Sequence, residues 1–368
     1  QASQISLRDL LLHRPGFWNG AINYRTFGPG NLDDEGLRHQ LETSSVPSSI
    51  EFRYSNLGYV VAAAAMEEVT GIPWEELLEH RVFGPAGMVH STTSIERAKA
   101  GDFAFPFGVS PEGGFEAQPV KVQAQMHAAG GSASSVEDLL RWIRLNLRQG
   151  ALDGQTVFPA RAVRQAQAPQ IQHDRAFGPY LRYAYGLGVH HAELDGEWTV
   201  HHFGGPIHVS FQPERDRGLV LLSAGTDSTS FVHELARRIY HILGREEGDW
   251  AEAEGFRETR SKLEEVLAER RRLRQELAAR RGSLSQPAAT YLGVYRNERL
   301  GDLEIRASEG ALHLSYGVLE QELVPLEADT FLADLLPGED GGTVLEYRVD
   351  ETGPALFWGE RRFGRVEE

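Results

Sequence analysis

Three short polar clusters in this chain hold residue types that could do chemistry. Tyr54-Ser55-Asn56 stands directly before a run of small apolar residues, Val60 to Met66. That run predicts a buried helix, with Tyr54 and Asn56 at its entrance, where a cleft is expected. Ala129-Gly130-Gly131-Ser132 reads as a tight turn. His201-His202-Phe203-Gly204-Gly205 reads as a strand ending in two glycines. With no Cβ in the way, a ligand backbone can approach such a strand closely. A free N–H at its edge can aim at a carbonyl oxygen. Taken alone, Tyr54 and Asn56 read as a buried tyrosine and an ordinary helix N-cap, and His202 as a strand histidine. His190, His191 and His201 raise the question of a metal. They alternate faces and lack carboxylates at ligand spacing, so neither metal nor cofactor is expected. Tyr180, Tyr183 and Tyr185 read as strand packing.

The elements that must hold these clusters follow from the local signals. Ser6 to His13 is a short helix with Ser6 and Asp9 as capping-box partners, stopped by Pro15-Gly16. Residues 18–31 read as loop, and Leu32 to Glu42 as a helix. Asn56 caps the helix that Gly71 ends. A helix runs from Trp74 to Val82, and residues 101–119 form a surface excursion with one hairpin. Ser135 caps a helix to Arg148, and another runs from Pro159 to Gln167. Tyr185 to Val189 begins a strand, and Asp195-Gly196 marks a hairpin. Strands Thr199–Phe203, Ile207–Gln212 and Gly218–Ser223 follow, then a helix from Phe231 to Leu243. Helices, a meander and a helix make an α+β arrangement. Arg257 to Arg281 is one long Arg-rich helix, read as a solvated linker helix or a short coiled-coil seam. From Tyr291 onward, short alternating runs predict an antiparallel barrel or sandwich of about eight strands.

Composition narrows the partners. The chain has 368 residues, a formal charge of −16 and no cysteine. Acidic surface disfavours nucleic acid as a partner, and thiolate chemistry and disulfides are excluded. No apolar stretch is long enough to span a bilayer as a helix. The chain begins with Gln, so an upstream segment is expected.

Residues 5–243 resemble the serine hydrolases related to class C β-lactamases and penicillin-binding D-Ala-D-Ala peptidases. The motifs that carry the resemblance are Tyr54-Ser55-Asn56, Gly84-Pro85-Ala86-Gly87-Met88 and Ala129-Gly130-Gly131-Ser132 with Asp138-Leu139. Tyr185-Gly186-Leu187-Gly188 and His202-Phe203-Gly204-Gly205 complete the set. The resemblance implies an antiparallel sheet flanked by helices, with a helical subdomain. It implies Tyr54 as general base, with nearby cations favouring its ionised form, since free tyrosine titrates near ~10. It implies Asn56 on the substrate amide, His202 beside the scissile carbonyl or a substrate carboxylate, and the Gly205 N–H in the oxyanion hole. Phe203, Gly204 and His208 would line the substrate.

The chain also departs from the family pattern. No Ser-x-x-Lys occurs in it; Thr259-Arg260-Ser261-Lys262 is the nearest variant and lies on the wrong side of every other motif. The nucleophile is therefore expected upstream of residue 1, and the chain alone is expected to be inactive. Residues 219–222 are expected to form an unpaired sheet edge. His208 stands where glycine is usual, and Arg14-Pro15 where Thr-Ser is usual. The expected layout is a hydrolase domain over 1–248, a linker helix over 249–284 and a barrel-like accessory domain over 285–368. The expected activity is serine-dependent acyl hydrolysis of an ester, a D-amino-acid peptide or amide, or a β-lactam. The alternative is a non-catalytic binding or regulatory module with the same cleft. Expected partners are a small-molecule or short-peptide acyl substrate and, through the linker helix, a second copy. The resemblance favours an extracytoplasmic location.

Overall fold

Ser6 begins the first helix, Leu7–Leu11: its hydroxyl accepts from the Asp9 N–H, and Asp9 returns a bond to the Ser6 N–H. The structure, a computed structural model, describes residues 5–14, 20–42, 51–110, 114–244, 252–333, 335 and 343–366. The expected stop at Pro15-Gly16, the loop around Pro47 and the hairpin tip at 111–113 fall outside the described residues. The chain divides into two compact units. One comprises Gln1–Trp18, Ser45–Ser110 and Phe115–Glu264; the other comprises Asn19–Ser44, Pro111–Gly114 and Glu265–Glu368.

The first unit is built on a six-stranded antiparallel meander: β1 (Ile171–Phe177), β2 (Tyr180–Tyr185), β3 (His190–Leu194), β4 (Glu197–Gly204), β5 (Ile207–Gln212) and β6 (Arg217–Leu222). Each strand pairs with its sequence neighbour. Alternation sorts the side chains onto two faces. Val200, Phe211 and Val220 pack with Ile143 of the helix Val136–Leu147. Tyr180, Ala192 and Leu194 pack with Tyr240 of the helix Thr229–Gly244. Among the described residues β6 pairs only with β5, so residues 219–222 are an open edge, as the sequence predicts. Two strand expectations change. Residues 171–177 add a strand that the sequence did not mark. Residues 186–189 form the connection between β2 and β3 rather than a strand start, because the Gly186 N–H bonds the Val189 carbonyl at 2.8 Å.

The helix Leu57–Thr70 lies against Leu7–Leu11. It is not buried all round as its composition suggests: Leu57, Gly58, Ala62 and Ala63 are buried, while Met66 and Val69 face solvent. A Cβ on Gly58 would stand 2.5 Å from the Leu10 carbonyl oxygen, so only glycine lets the two helices approach this closely.

The second unit centres on a closed eight-stranded barrel from Gly293–Asn297 to Arg361–Arg365, with the first strand paired to the last. Its interior is filled by side chains such as Tyr291, Leu303, Leu314, Tyr316, Phe331 and Phe363, so the barrel is a packed core. Residues 20–27 form a helix where loop is expected from their Gly and Asn content. Tertiary contact overrides that propensity: Ala21 joins the barrel core and the Tyr24 hydroxyl donates to the Leu335 carbonyl at 2.9 Å. The long helix spans Glu252–Ala279. Ion pairs such as Lys262–Glu258 and Arg260–Glu264 cover its polar faces, and Val266 of the expected seam is exposed.

The close approach at Gly58 gives a direct test. Gly58→Ala adds about 1 kcal/mol of helix propensity, yet overpacking against Leu10 costs about 1–3 kcal/mol. The expected net result is a lower urea midpoint for the first unit; an unchanged or higher midpoint would show that the helices can separate freely.

Candidate functional site

The site is assembled around the turn that leads into Leu57–Thr70. His13, just past the first helix, lies beneath it. The Ser55 N–H reaches His13 Nδ1 at 3.1 Å, and the Arg53 N–H donates to the His13 carbonyl at 3.0 Å. The His13 ring sits 4.4 Å from the Tyr54 ring and 4.9 Å from Tyr185, centroid to centroid. Backbone and ring contacts together fix the direction of the Tyr54 side chain. Its hydroxyl donates to Asn56 Oδ1 at 3.1 Å and lies 3.4 Å from His202 Nε2 on β4. The structure thus brings His202 to Tyr54 and Asn56, across a sequence separation of 148 residues from Tyr54. Asn56 differs from expectation in one respect. It already has helical backbone angles and its side chain makes no cap bond; the carboxamide turns to the Tyr54 hydroxyl instead.

Gly204 ends β4 and Gly205 follows in the turn to β5 with φ +56°, a conformation that favours glycine. Nothing lies within 4 Å of where a Cβ would stand on either residue, so the turn leaves open space beside His202. The Ala129–Ser132 turn is tied to its own neighbourhood, the Gly130 N–H donating to the His127 carbonyl at 3.0 Å. It does not line the cleft described next. His208, expected near the substrate, is fully buried. It bonds the Ser210 hydroxyl at 2.7 Å and His233 at 3.1 Å, Nδ1 to Nδ1, and Ser210 continues to the Tyr240 hydroxyl at 2.8 Å. Its imidazole fills a polar pocket beneath the helix Thr229–Gly244 rather than crowding the turn.

Beside Tyr54 and His202 opens a cleft of about 250 Å³. Phe52, Phe177 and Phe203 form its apolar walls, and His173 and His190 add two imidazoles. Arg175 and Arg182 supply positive charge; among the described residues no aspartate or glutamate lines it. These two arginines escaped the sequence reading. The available signal was a single charged residue among the aromatic residues of Tyr180–Tyr185.

Burial dominates the electrostatics. It pushes the Tyr54 phenol above its ordinary value, and Arg182 only partly opposes this. The phenol is therefore protonated at neutral pH, the reverse of the ionised form expected from the sequence. Burial, with Arg182 second, holds His202 down to about 4. Burial also lowers Arg182, to about 10, so it stays charged. As it stands, the site is a neutral phenol and a neutral imidazole beside a cation.

A β-lactamase family profile matches residues 1–244. The chain belongs to the β-lactamase family. An unguisins hydrolase of Aspergillus campestris is 26% identical over 256 residues, which is 66% of this chain and 46% of that protein. The putative penicillin-binding protein PbpX of Bacillus subtilis is 25% identical over 249 residues, 66% of this chain and 56% of that protein. This member of the family thus spans about half the length of the curated relatives it matches. The octameric penicillin-binding protein homologue from Pyrococcus abyssi superposes with a TM-score of 0.55 at 20% identity, covering 97% of this chain and 79% of that one. That likeness extends the shared fold through the barrel. Among the described residues no helix is long and apolar enough to cross a membrane.

The imidazoles make stability depend on pH. His13 and His233 are held down to about 4 and His208 to about 3, each chiefly by burial. Unfolded histidine titrates near ~6.5, so below that the unfolded chain binds protons that the fold refuses. Stability is fully present above about pH 6.5 and lost as pH falls toward 4. Each buried histidine adds a slope of up to about 1.4 kcal/mol per pH unit. Urea titrations at pH 7.5, 6 and 5 are expected to show a steepening loss; a flat profile would contradict neutral burial.

Proposed function

We propose that the complete protein is a serine acyl hydrolase, with Tyr54, Asn56, His202 and Gly205 forming the part of the site that this chain carries. The convergence of Tyr54, Asn56 and His202 within hydrogen-bond reach supports the reading most directly. Family membership over residues 1–244 supports it independently. The nucleophile would come from upstream of residue 1, as the serine of a Ser-x-x-Lys segment. Two observations favour this. No such motif occurs in the 368 residues, and among the described residues β6 has one unpaired edge on which further strands could add.

The chemistry follows from the groups present. Serine would lose its proton to the ionised Tyr54 and attack the substrate carbonyl. The Gly205 N–H would hold the oxyanion, a type of contact worth about 10²–10³ in rate. The leaving group would depart with a proton, and water would then release the acyl group from serine. Asn56 would hold the substrate amide, with Phe203 and Gly204 along the acyl chain. The raised Tyr54 phenol gives the arriving lysine a task. A second cation beside the hydroxyl would lower its pKa toward the working range. The substrate class would be an ester, a D-amino-acid peptide or amide, or a β-lactam.

The test is covalent labelling. Protein extended to include the upstream segment is expected to take a fluorophosphonate or penicillin label and to hydrolyse p-nitrophenyl esters, while residues 1–368 alone take none. In the extended protein, Tyr54→Phe is expected to lower kcat/KM by about 10²–10⁴ while leaving the melting temperature nearly unchanged. If the extended protein neither labels nor turns over ester, the cleft is a binding module and the hydrolase reading is lost.

A further inference from the structure

The first unit is interrupted in sequence by a segment of the barrel unit. Gln1–Trp18 belong to the first unit, Asn19–Ser44 to the barrel unit, and the first unit resumes at Ser45. His13 therefore precedes this excursion, and Arg53 and Ser55 follow it. These are the residues that meet beneath Tyr54: the Arg53 N–H donates to the His13 carbonyl at 3.0 Å, and the Ser55 N–H reaches His13 Nδ1 at 3.1 Å. The excursion is fastened to the barrel along its length. Near its start, the Tyr24 hydroxyl donates to the Leu335 carbonyl at 2.9 Å, and the Tyr24 ring lies 5.8 Å from that of Tyr316 and 5.1 Å from that of Trp358. Further on, the Val318 N–H donates to the Pro29 carbonyl at 2.8 Å. Near its end, Gln40 is buried and donates through Nε2 to the Glu298 carbonyl at 3.0 Å. The barrel turn at Gly317 is fitted to the segment: its φ is +58°, and a Cβ there would stand 2.2 Å from the Pro29 carbonyl oxygen.

We propose that residues 19–44 are a positioning element for Tyr54, and that the barrel, by holding this segment, keeps His13 against Arg53 and Ser55. This rests on reading Tyr54 as part of the acyl-transfer site and adds the barrel to what that site depends on. The bond between His13 and Arg53 closes a loop of about forty residues, and loop closure costs conformational entropy that grows with the number of residues left to wander. A segment ordered on the barrel near both ends does not wander. Only the connections on either side of it remain to be closed, so the bonds beneath Tyr54 form at lower cost. Released from the barrel, the same bonds must close the whole loop, and His13 separates from Arg53 and Ser55 more often. The Tyr54 ring, 4.4 Å from the His13 ring between centroids, then loses its backing. Tyr24 and Gly317 act on Tyr54 only through this chain of contacts.

Hydrogen exchange in the 368-residue chain tests this without any nucleophile. Gly317→Ala presses on Pro29, and Tyr24→Ala removes the ring and hydroxyl that fasten the start of the segment. Gly310→Ala is the control: it strains another barrel turn, at φ +86°, where nothing lies within 4 Å of the added Cβ. Both anchor variants are expected to speed exchange of the Arg53 and Ser55 amides about tenfold or more, while the amides of the β4–β5 pairing keep their protection. Both are also expected to raise the His202 titration midpoint from about 4 to about 5 or above, toward the ordinary ~6.5. Gly310→Ala is expected to move neither. Unchanged exchange at Arg53 and Ser55 in both anchor variants would overturn the proposal. So would an equal acceleration in Gly310→Ala, which would trace the effect to barrel stability alone. Should Tyr24→Ala fail to fold, Gly317→Ala carries the test by itself. Failure here with intact covalent labelling removes only the barrel's part; failed labelling with the exchange result intact removes only the hydrolysis.

Discussion

A single phenol joins the two halves of the site. The Tyr54 hydroxyl meets Asn56 from the start of one helix and His202 from the end of β4. Although 37% of Tyr54 is exposed, its ring is backed by His13, which is in turn held by the backbone at Arg53 and Ser55. Gly58 allows that backbone to sit against the first helix. The chain of contacts runs from a capping box at Ser6, through His13, to the orientation of one hydroxyl. Loosening any link would move Tyr54 relative to β4.

Burial sets the charge state. His13, His190, His201 and His202 are all depressed chiefly by burial, and Arg182 pushes His190, His201 and His202 further the same way. The result is a layer of neutral rings beside Arg182 and Arg175. Although the formal charge of the chain is −16, among the described residues the lining of this cleft carries arginines and no acid.

Much of this was legible in the sequence because it depends on local pattern. The Ser6 and Ser135 caps, the Asp195-Gly196 hairpin and the alternation in Ala311–Tyr316 each encode their element within a few residues. The Tyr54-Ser55-Asn56 and His202-Phe203-Gly204-Gly205 motifs carried the family. What was not legible depends on partners distant in sequence. The helix 20–27 forms against a barrel some 270 residues later. Asn56 gives up its capping bond for a tyrosine beside it. His208 avoids the turn because His233 and Ser210 offer it partners. Arg182 looks like an ordinary strand arginine until the register shows Arg175 opposite it.

The central claim is that Tyr54 and His202 meet as two neutral groups. An NMR titration of the His202 ring carbon reads it directly. The account expects His202 to stay neutral through pH 5.5, with a midpoint near about 4, and expects that midpoint to shift when Tyr54 is replaced by Phe. A midpoint near the ordinary ~6.5, unmoved by that replacement, would mean that water reaches the imidazole and that the two side chains do not form one site.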